Sequence, residues 1–159
     1  MSELRIGHGF DAHRLVEERP LMLGGVRIEH ARGLEGDSDA DALLHALADA
    51  LLGAAGLGDL GRLYRPGDPA VKGLDSTTIV REVRARVEGA GWRLVNADLT
   101  VIAQAPRMAP HLDAMQASIS RALEVDAGRI NVKAKSTDHL GFLGREEGIA
   151  ALATVLLER

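Results

Sequence analysis

The stretch from Gly36 to Tyr64 reads GDSDADALLHALADALLGAAGLGDLGRLY, and its middle is rich in Ala and Leu. Residues 37–39 (Asp-Ser-Asp) can cap free amides at a helix N-terminus, so the pattern predicts a helix that begins here and ends in a glycine-rich tail. Asp41, His45 and Asp49 share one stripe of that helix because they are four residues apart. A polar stripe on an apolar helix requires a metal or a strong polar partner, since buried unpaired charge is costly.

A second group of candidate ligands follows the strand predicted over residues 4–10. Asp11 and His13 are two residues apart, so on an extended segment both side chains project from the same face. Together with His45 they would supply three protein ligands and leave one position of a tetrahedral zinc site open, the pattern of catalytic zinc. Asp41 or Asp49 could orient the imidazole of His45. Taken alone, the Asp-x-His pair is more typical of a solvated turn, and the stripe on the helix is what favours a metal.

The rest of the chain predicts one α+β domain over residues 1–159. We expect a two-layer sandwich, in which a mixed four-stranded sheet carries three main helices on one face. The patterns predict a hairpin or bent strand over residues 21–28 and loops over residues 30–36 and 62–73. Helices are predicted over residues 76–88 and 106–123, and the second of them starts between two prolines. Strands are predicted over residues 94–103 and 130–134. Residues 149–157 are apolar, and periodicity does not separate strand from helix there.

Composition and charge exclude several classes of protein. The net charge is −4 without a basic run, and aromatic residues make up only 3% of the chain, which argues against nucleic-acid binding. The absence of cysteine excludes disulfides, thiolate metal ligands and thiol nucleophiles. The N-terminal residues lack a signal-peptide core and no apolar run approaches membrane-spanning length, so we expect a cytoplasmic protein.

A candidate phosphate site lies at the end of the strand over residues 130–134. The segment Lys133 to Asp138 reads KAKSTD, and lysines, hydroxyls and free amides at a strand end can hold phosphate oxygens. Asp138 could carry a hard cation such as Mg²⁺. A surface turn with solvated charge is the alternative. The segment 103–108 also follows a strand, and its backbone groups could read the edge of a base.

Several segments in order resemble one family, the 2-C-methyl-D-erythritol 2,4-cyclodiphosphate synthases of the non-mevalonate isoprenoid pathway. The resemblance rests on RIGHGFDAHR, SDADALLHALADALLGAA, LGDLG, IAQAPRM and GFLGREEG, which begin at residues 5, 38, 57, 102 and 141. It covers nearly the whole chain.

This resemblance implies a homotrimer with each active site built between neighbouring subunits. It implies one Zn²⁺ per site on Asp11, His13 and His45, and a second cation, Mg²⁺ or Mn²⁺, held by Asp138 across a diphosphate. The implied substrate contacts are Asp37, Ser38, Asp59, Leu60, Gly61, Lys135, Ser136, Thr137, Phe142 and Arg145, of which Asp37, Ser38 and Ser136 would position the reacting groups. The implied nucleotide contacts are Ala103, Pro106, Arg107, Met108, Ala109 and Ala134. Phe10, Phe142 and Arg145 match positions that line a cavity along the trimer axis, where the family can hold isoprenoid diphosphates.

The implied reaction starts from 4-diphosphocytidyl-2-C-methyl-D-erythritol 2-phosphate. The 2-phosphate attacks the β-phosphorus, CMP leaves, and 2-C-methyl-D-erythritol 2,4-cyclodiphosphate remains. An attack within one molecule needs no protein nucleophile, which agrees with a chain that lacks cysteine. Two cations would neutralise developing charge.

The chain departs from the usual family pattern at three places. Asp37 stands where the family usually has His, and an acidic side chain there would repel a phosphorylated substrate unless the backbone makes the contact. Lys135 replaces the first hydroxyl of the usual Thr-Thr run and adds positive charge. The usual Phe-Pro-Asp-Thr-Asp loop reads Tyr64-Arg-Pro-Gly-Asp, so contacts from that loop are not transferred. The metal ligands are unchanged, and we therefore expect an active enzyme.

Two other functions fit part of the same pattern. A zinc-dependent phosphohydrolase acting on nucleoside diphosphates would release two open phosphates instead of CMP and a cyclic product. A trimeric binding module that senses isoprenoid diphosphates in the axial cavity would not turn over, although such a module need not keep an open metal site.

Overall fold

The computed structural model describes residues 2–159, which form two sheets and a layer of helices. The strands are β1 (Leu4–Glu17), β2 (Leu21–Leu23), β3 (Val26–Ile28), β4 (Arg32–Leu34), β5 (Arg93–Ile102), β6 (Ile130–Lys135) and β7 (Gly148–Glu158). The helices are α1 (Ala42–Ala55), α2 (Leu60–Leu63), α3 (Ser76–Gly89), α4 (Leu112–Leu123) and α5 (Gly141–Gly144).

The main sheet has five strands in the order β4-β1-β7-β5-β6, so the prediction of four strands is wrong. The additional edge strand β4 lies within the segment 30–36 that was expected to be a loop. Three residues are too few to show an alternating pattern, and β4 is defined only by its pairing with residues 15–17 of β1. The sheet is mixed as predicted, because β5 and β6 are parallel while the other neighbours are antiparallel.

Helix α1 is the centre of the helical layer and packs directly on β1 and β7. Helix α4 packs on β6, and α3 packs mainly against α1 and α4. The helix predicted over residues 76–88 is confirmed as α3, and its apolar residues Ile79, Val80, Val83 and Val87 are all buried. The α+β class is therefore confirmed.

Contact between α1 and β1 is possible because two strand positions carry no side chain. A Cβ atom added to Gly7 would lie 1.9 Å from the carbonyl oxygen of Ala50, and one added to Gly9 would lie 1.8 Å from that of Ala46. Both distances are far inside van der Waals contact. The backbone of α1 therefore lies directly on the backbone of β1, and Gly7 and Gly9 set the distance between them.

Helix α1 begins one turn later than residues 37–39 would place it. Its N-cap is Asp41, whose carboxylate accepts the amide of Leu44 at 3.0 Å. The same carboxylate accepts the amides of Gly24 at 2.9 Å and Gly25 at 2.7 Å. Burial raises the pKa of the Asp41 carboxyl, while the amides of Gly25 and Leu44 oppose that rise. Asp41 thus fixes the start of α1 to the turn of a hairpin.

That hairpin is the one predicted for residues 21–28. Its strands β2 and β3 pair antiparallel and are joined by Gly24 and Gly25, whose φ angles are +60° and +73°. Consecutive positive φ angles are typical of two-residue hairpin turns and favour glycine. The hairpin forms a separate two-stranded sheet beside the main one.

The ambiguous C-terminal segment is a strand. β7 lies between β1 and β5 in the sheet, and its residues 148–151 are all buried. A strand covered in this way reads as a continuous apolar run, which explains why its periodicity is uninformative. Within residues 2–159, the structure contains no helix with the length and apolar character needed to cross a bilayer.

The contact between α1 and β1 can be tested by replacing Gly9 with Ala. The new methyl group would overlap the Ala46 carbonyl, so we expect Gly9→Ala to lower the free energy of unfolding by at least about 2 kcal/mol in chemical denaturation. Gly53→Ala is the matched control, because a Cβ there meets nothing within 4 Å. That helical substitution should raise the free energy of unfolding by about 0.5–1 kcal/mol. Equal effects of the two substitutions would contradict the close contact.

Candidate active site

The predicted metal ligands converge where α1 crosses β1. Asp11 and His13 continue the face of β1 that carries Gly7 and Gly9, and His45 projects towards them from the first turns of α1. His13 Nε2 lies 2.8 Å from Asp11 Oδ2 and 3.3 Å from His45 Nδ1, and His45 Nδ1 lies 3.1 Å from Asp11 Oδ2. Ligand atoms around a tetrahedral zinc ion are separated by about 3.3 Å, given bonds of about 2.0 Å. The donor set and its spacing therefore fit a zinc ion.

Each imidazole presents its lone pair to this point because its other nitrogen is engaged. His13 Nδ1 lies 2.7 Å from the carbonyl oxygen of Glu35, which can only accept, so Nδ1 carries a proton and Nε2 is the nitrogen available to a metal ion. His45 Nε2 lies 2.9 Å from Ser76 Oγ and 3.3 Å from Ser38 Oγ, so Nδ1 is the nitrogen available to a metal ion. Outer partners of this kind fix the tautomer and ring orientation of metal-binding histidines.

The prediction that Asp41 or Asp49 orients His45 is wrong. The carboxylate of Asp41 is directed to the hairpin turn, and Asp49 accepts the amide of Leu60 at 2.8 Å. Spacing along the helix placed both residues on the His45 stripe, but nearby backbone amides are their partners.

Ser76 and Asp39, instead of Asp41 and Asp49, orient the imidazole of His45. Ser76 Oγ donates to Asp39 Oδ1, which leaves the serine oxygen as acceptor for His45 Nε2–H. Asp39 Oδ2 also accepts the amide of Ser76 at 3.1 Å. Sequence reasoning missed Ser76 because it lies 31 residues from His45 and its local signal is that of an ordinary helix start.

Charge at the triad favours an ionised carboxylate. Burial raises the pKa of Asp11, but hydrogen bonds from His13 and His45, whose protons a bound metal ion would displace, outweigh it and bring the pKa to about 2. Burial lowers the pKa of His13, but the hydrogen bond and charge of Asp11 raise it by a larger amount, so the net shift of the pKa is upwards. Asp11 is therefore available as an anionic ligand at neutral pH.

A cavity of about 170 Å³ opens beside the triad. Four of the predicted substrate contacts line it together with His13 and His45, and these are Asp37, Ser38, Leu60 and Gly61. Tyr64, Arg65 and Pro66 from the following loop form another part of its wall.

Asp37 closes this wall instead of pointing a free carboxylate at the cavity. Its Oδ2 accepts the amide of Gly67 at 2.9 Å, and its carbonyl accepts the amide of Gly73 at 2.7 Å. From the other side, Arg19 donates to the carbonyls of Gly36 at 2.9 Å and Ser38 at 2.8 Å. Asp37 and Arg19 therefore fix the segment 36–38 between the hairpin side of the fold and the loop 62–73.

The other predicted substrate contacts do not line this cavity. Asp59 does not line the cavity beside the triad and instead caps α2 by accepting the amide of Arg62 at 3.0 Å. Phe142 is exposed and lines a different cavity beside Ala12 and His13. Arg145 forms an ion pair with Glu147 at 2.9 Å.

The predicted nucleotide contacts form a cavity of their own, of about 230 Å³. All six line it, namely Ala103, Pro106, Arg107, Met108, Ala109 and Ala134. Lys135 and Ser136 of the predicted phosphate turn join them. Gln104 Oε1 accepts the amide of His139 at 3.0 Å, which ties the turn to the segment that follows β5.

The end of that turn lies outside this cavity. Thr137 Oγ1 donates to the carbonyl of Leu140 at 2.7 Å, and Asp138 is exposed with a positive φ angle of 50°. No residue is shared between this cavity and the one beside the triad.

Three donors around one point, Asp11, His13 and His45, are the arrangement of metal sites that keep a coordination position free for a ligand, and this α+β chain therefore carries a candidate site of that class. Residues 4–158 match the YgbB family, and the chain belongs to that family. It is 57% identical over 155 residues to the 2-C-methyl-D-erythritol 2,4-cyclodiphosphate synthase of Bordetella avium, and the match covers 98% of this chain and 96% of that protein.

Solved structures show the same likeness. The bifunctional IspDF from Campylobacter jejuni has a TM-score of 0.96 and 45% identity, and the match covers 99% of this chain and 43% of that chain. A 2C-methyl-D-erythritol-2,4-cyclodiphosphate synthase in its CDP-bound form has a TM-score of 0.88 and 40% identity, with 96% of this chain and 99% of that chain covered.

The contact between Ser76 and His45 predicts an effect on metal affinity. Ser76→Ala removes the nearer of the two hydroxyls beside His45 Nε2 and leaves Ser38 Oγ at 3.3 Å, and we expect the affinity for zinc to fall about tenfold in competition with a chromophoric chelator. Ser120→Ala is the control, because it removes another buried hydroxyl that only donates to the Ala117 carbonyl in α4. Unchanged zinc affinity in Ser76→Ala would show that the serine does not orient the ligand.

Tyr64, the only tyrosine of the chain, reports on the loop beside the cavity. Burial and then the hydrogen bond that its hydroxyl donates to Glu82 raise the pKa of Tyr64 to about 12. The folded pKa lies above the ordinary value of about 10, so this contribution to stability is complete below pH 10 and is lost as pH rises towards 12.

We therefore expect an absorbance titration of the phenol to have its midpoint near pH 12. In Glu82→Gln the midpoint should move towards about 10 without reaching it, because burial remains. Circular dichroism at each pH would verify that the protein stays folded. A midpoint near 10 in the unaltered folded protein would contradict the contact.

Proposed function

We propose that this chain converts 4-diphosphocytidyl-2-C-methyl-D-erythritol 2-phosphate to 2-C-methyl-D-erythritol 2,4-cyclodiphosphate and CMP. The observation that carries the proposal is the triad of Asp11, His13 and His45, whose free donor atoms meet at a small cavity in a chain of the YgbB family. The names of its relatives support the same reaction. This activity is that of a phosphorus–oxygen lyase.

In this reaction the 2-phosphate oxygen bonds to the β-phosphorus, and the bond from that phosphorus to the CMP oxygen breaks. A zinc ion on the triad would supply positive charge for the phosphate oxygens. Asp11, His13 and His45 would hold that ion, and Ser76 fixes the ring of His45. Because the attack is intramolecular, the chain has mainly to hold the folded substrate and exclude other conformers.

The cavity formed by the predicted nucleotide contacts supports binding of the cytidine part. It combines small residues with the segment 106–109, and Lys135 and Ser136 add a cation and a hydroxyl suited to phosphate oxygens. We assign Asp138 and Thr137 to the diphosphate, with Asp138 holding Mg²⁺ or Mn²⁺. Oxygen donors from carboxylate and phosphate suit those ions. We assign the erythritol hydroxyls to Asp59.

We further propose that the active protein is a homotrimer with its sites between subunits. In one chain the triad and the nucleotide cavity have no residue in common, so a neighbouring copy is a simple way to bring them to one substrate. The face of β1 opposite α1 exposes three large apolar side chains, since Leu4, Ile6 and Phe10 are between 56% and 74% exposed. Apolar surface of this kind is typical of subunit interfaces.

We also propose an axial site that accepts an isoprenoid diphosphate and is lined by Phe10, Phe142 and Arg145. Both phenylalanines are about half exposed, which suits contact with an apolar chain. Arg145 would have to exchange its partner Glu147 for a phosphate. A cytoplasmic location, expected from the sequence, is also part of the proposal.

Phosphorus NMR of the zinc-loaded protein with substrate and Mg²⁺ would test the reaction directly. We expect signals of CMP and of a cyclic diphosphate to appear together. Two open phosphate products would favour the phosphohydrolase, and an unchanged substrate spectrum would favour the binding module.

His45→Ala links the reaction to the triad. Removal of one of three ligands should abolish bound zinc and turnover, while circular dichroism and sedimentation stay those of the folded assembly. His30→Ala, outside the triad, is the control and should keep both zinc and activity. Normal cyclisation by the His45 variant would refute the assignment of the site.

A further inference from the structure

The loop that borders the metal cavity is anchored on both sides of Arg65. Before it, Tyr64 donates its amide to the carbonyl of Leu60 at 2.7 Å and its hydroxyl to Glu82. After it, the amide of Gly67 donates to Asp37 Oδ2 at 2.9 Å. Arg65 also accepts the amide of Asp68 at 3.1 Å through its own carbonyl. The backbone of Arg65 is therefore fixed at the edge of the cavity.

Arg65 is the only lysine or arginine among the residues of 2–159 that line this cavity. Across the same part of the chain, no carboxylate lies within ion-pair distance of its guanidinium. A permanent cation without a protein partner, next to a metal triad, provides donors suited to a phosphate group. It stands in the segment where this chain departs from the usual loop of its family.

We propose that Arg65 binds a phosphate group of the substrate beside the metal triad, and that the bond from Gly67 to Asp37 holds Arg65 in place for this contact. Asp37 is then a positioning residue that acts through the loop, and Arg65 is a specificity-determining residue of this chain. The inference rests on the proposed function for the identity of the substrate, but its chemistry requires only a phosphate.

Two kinds of measurement separate the inference from the proposed function. Inorganic pyrophosphate, titrated into zinc-loaded protein by calorimetry, tests phosphate binding without turnover. Steady-state kinetics with the proposed substrate then tests the same contact during the reaction. Zinc content, measured for every variant, shows that the triad is intact.

We expect Arg65→Gln to raise the Kd for pyrophosphate and the KM for the substrate about tenfold, with a smaller effect on kcat, because a charge-assisted contact is lost. Arg65→Lys should restore part of the affinity, since it keeps the charge but not the planar fork. Arg81→Gln, an equal change of charge at an exposed position of α3, should leave both constants unchanged. Wild-type values of Kd and KM in Arg65→Gln would overturn the assignment of Arg65.

Asp37→Ala distinguishes the positioning role from simple electrostatics. Removal of a negative charge beside the cavity should by itself strengthen the binding of pyrophosphate. Loss of the bond to Gly67 should instead release the loop with Arg65 and weaken that binding. Weaker binding supports the positioning role, and tighter binding would overturn it.

If no cyclic diphosphate formed with the unaltered protein, the proposed reaction would fail. The pyrophosphate titration would still decide the role of Arg65, because it needs no turnover. Equal Kd values for the unaltered protein and Arg65→Gln would then overturn the inference independently.

Discussion

The direct contact between the backbones of α1 and β1 determines the geometry of the site. Gly7 and Gly9 offer no side chain to the helix, and their Cβ positions are occupied by carbonyl oxygens of α1. Strand side chains alternate, so Asp11 and His13 continue on this same face. A larger residue at either glycine would move the helix outwards and carry His45 away from a triad whose donor atoms lie 2.8–3.3 Å apart. The packing of α1 on β1 therefore also determines the distances between the three candidate metal ligands.

Local periodicity predicted those parts of the fold in which one face of an element is buried. The helices around residues 42–55 and 76–89 and the alternating strand β5 agree with the patterns in the sequence. Periodicity did not identify β4, because three residues make no pattern and its partner lies elsewhere in the chain. It did not distinguish strand from helix in β7, because a central strand with apolar residues towards both sides shows no alternation.

Spacing predicted the metal triad but not the partners of its ligands. The i, i+2 pair on β1 and a histidine on α1 are enough to propose three donors. The residue that orients His45 comes from α3, and the carboxylate behind it comes from the segment before α1. Only the packing of α3 against α1 brings Ser76 to His45, and no local pattern records that packing. Asp41 was misassigned for the same reason, since the hairpin amides that it accepts lie far away in sequence.

The acidic residues around the site explain how a chain of net charge −4 can receive an anionic substrate. Asp11 faces the two imidazoles, Asp37 accepts the amide of Gly67, and Asp39 accepts both the amide and the hydroxyl of Ser76. Each carboxylate is directed at a donor of the protein, and the partial positive charge of that donor offsets its field in the cavity. Because Arg65 has no such partner, its guanidinium is the charged group of the cavity wall that is left available to a phosphate, even though the whole chain is acidic.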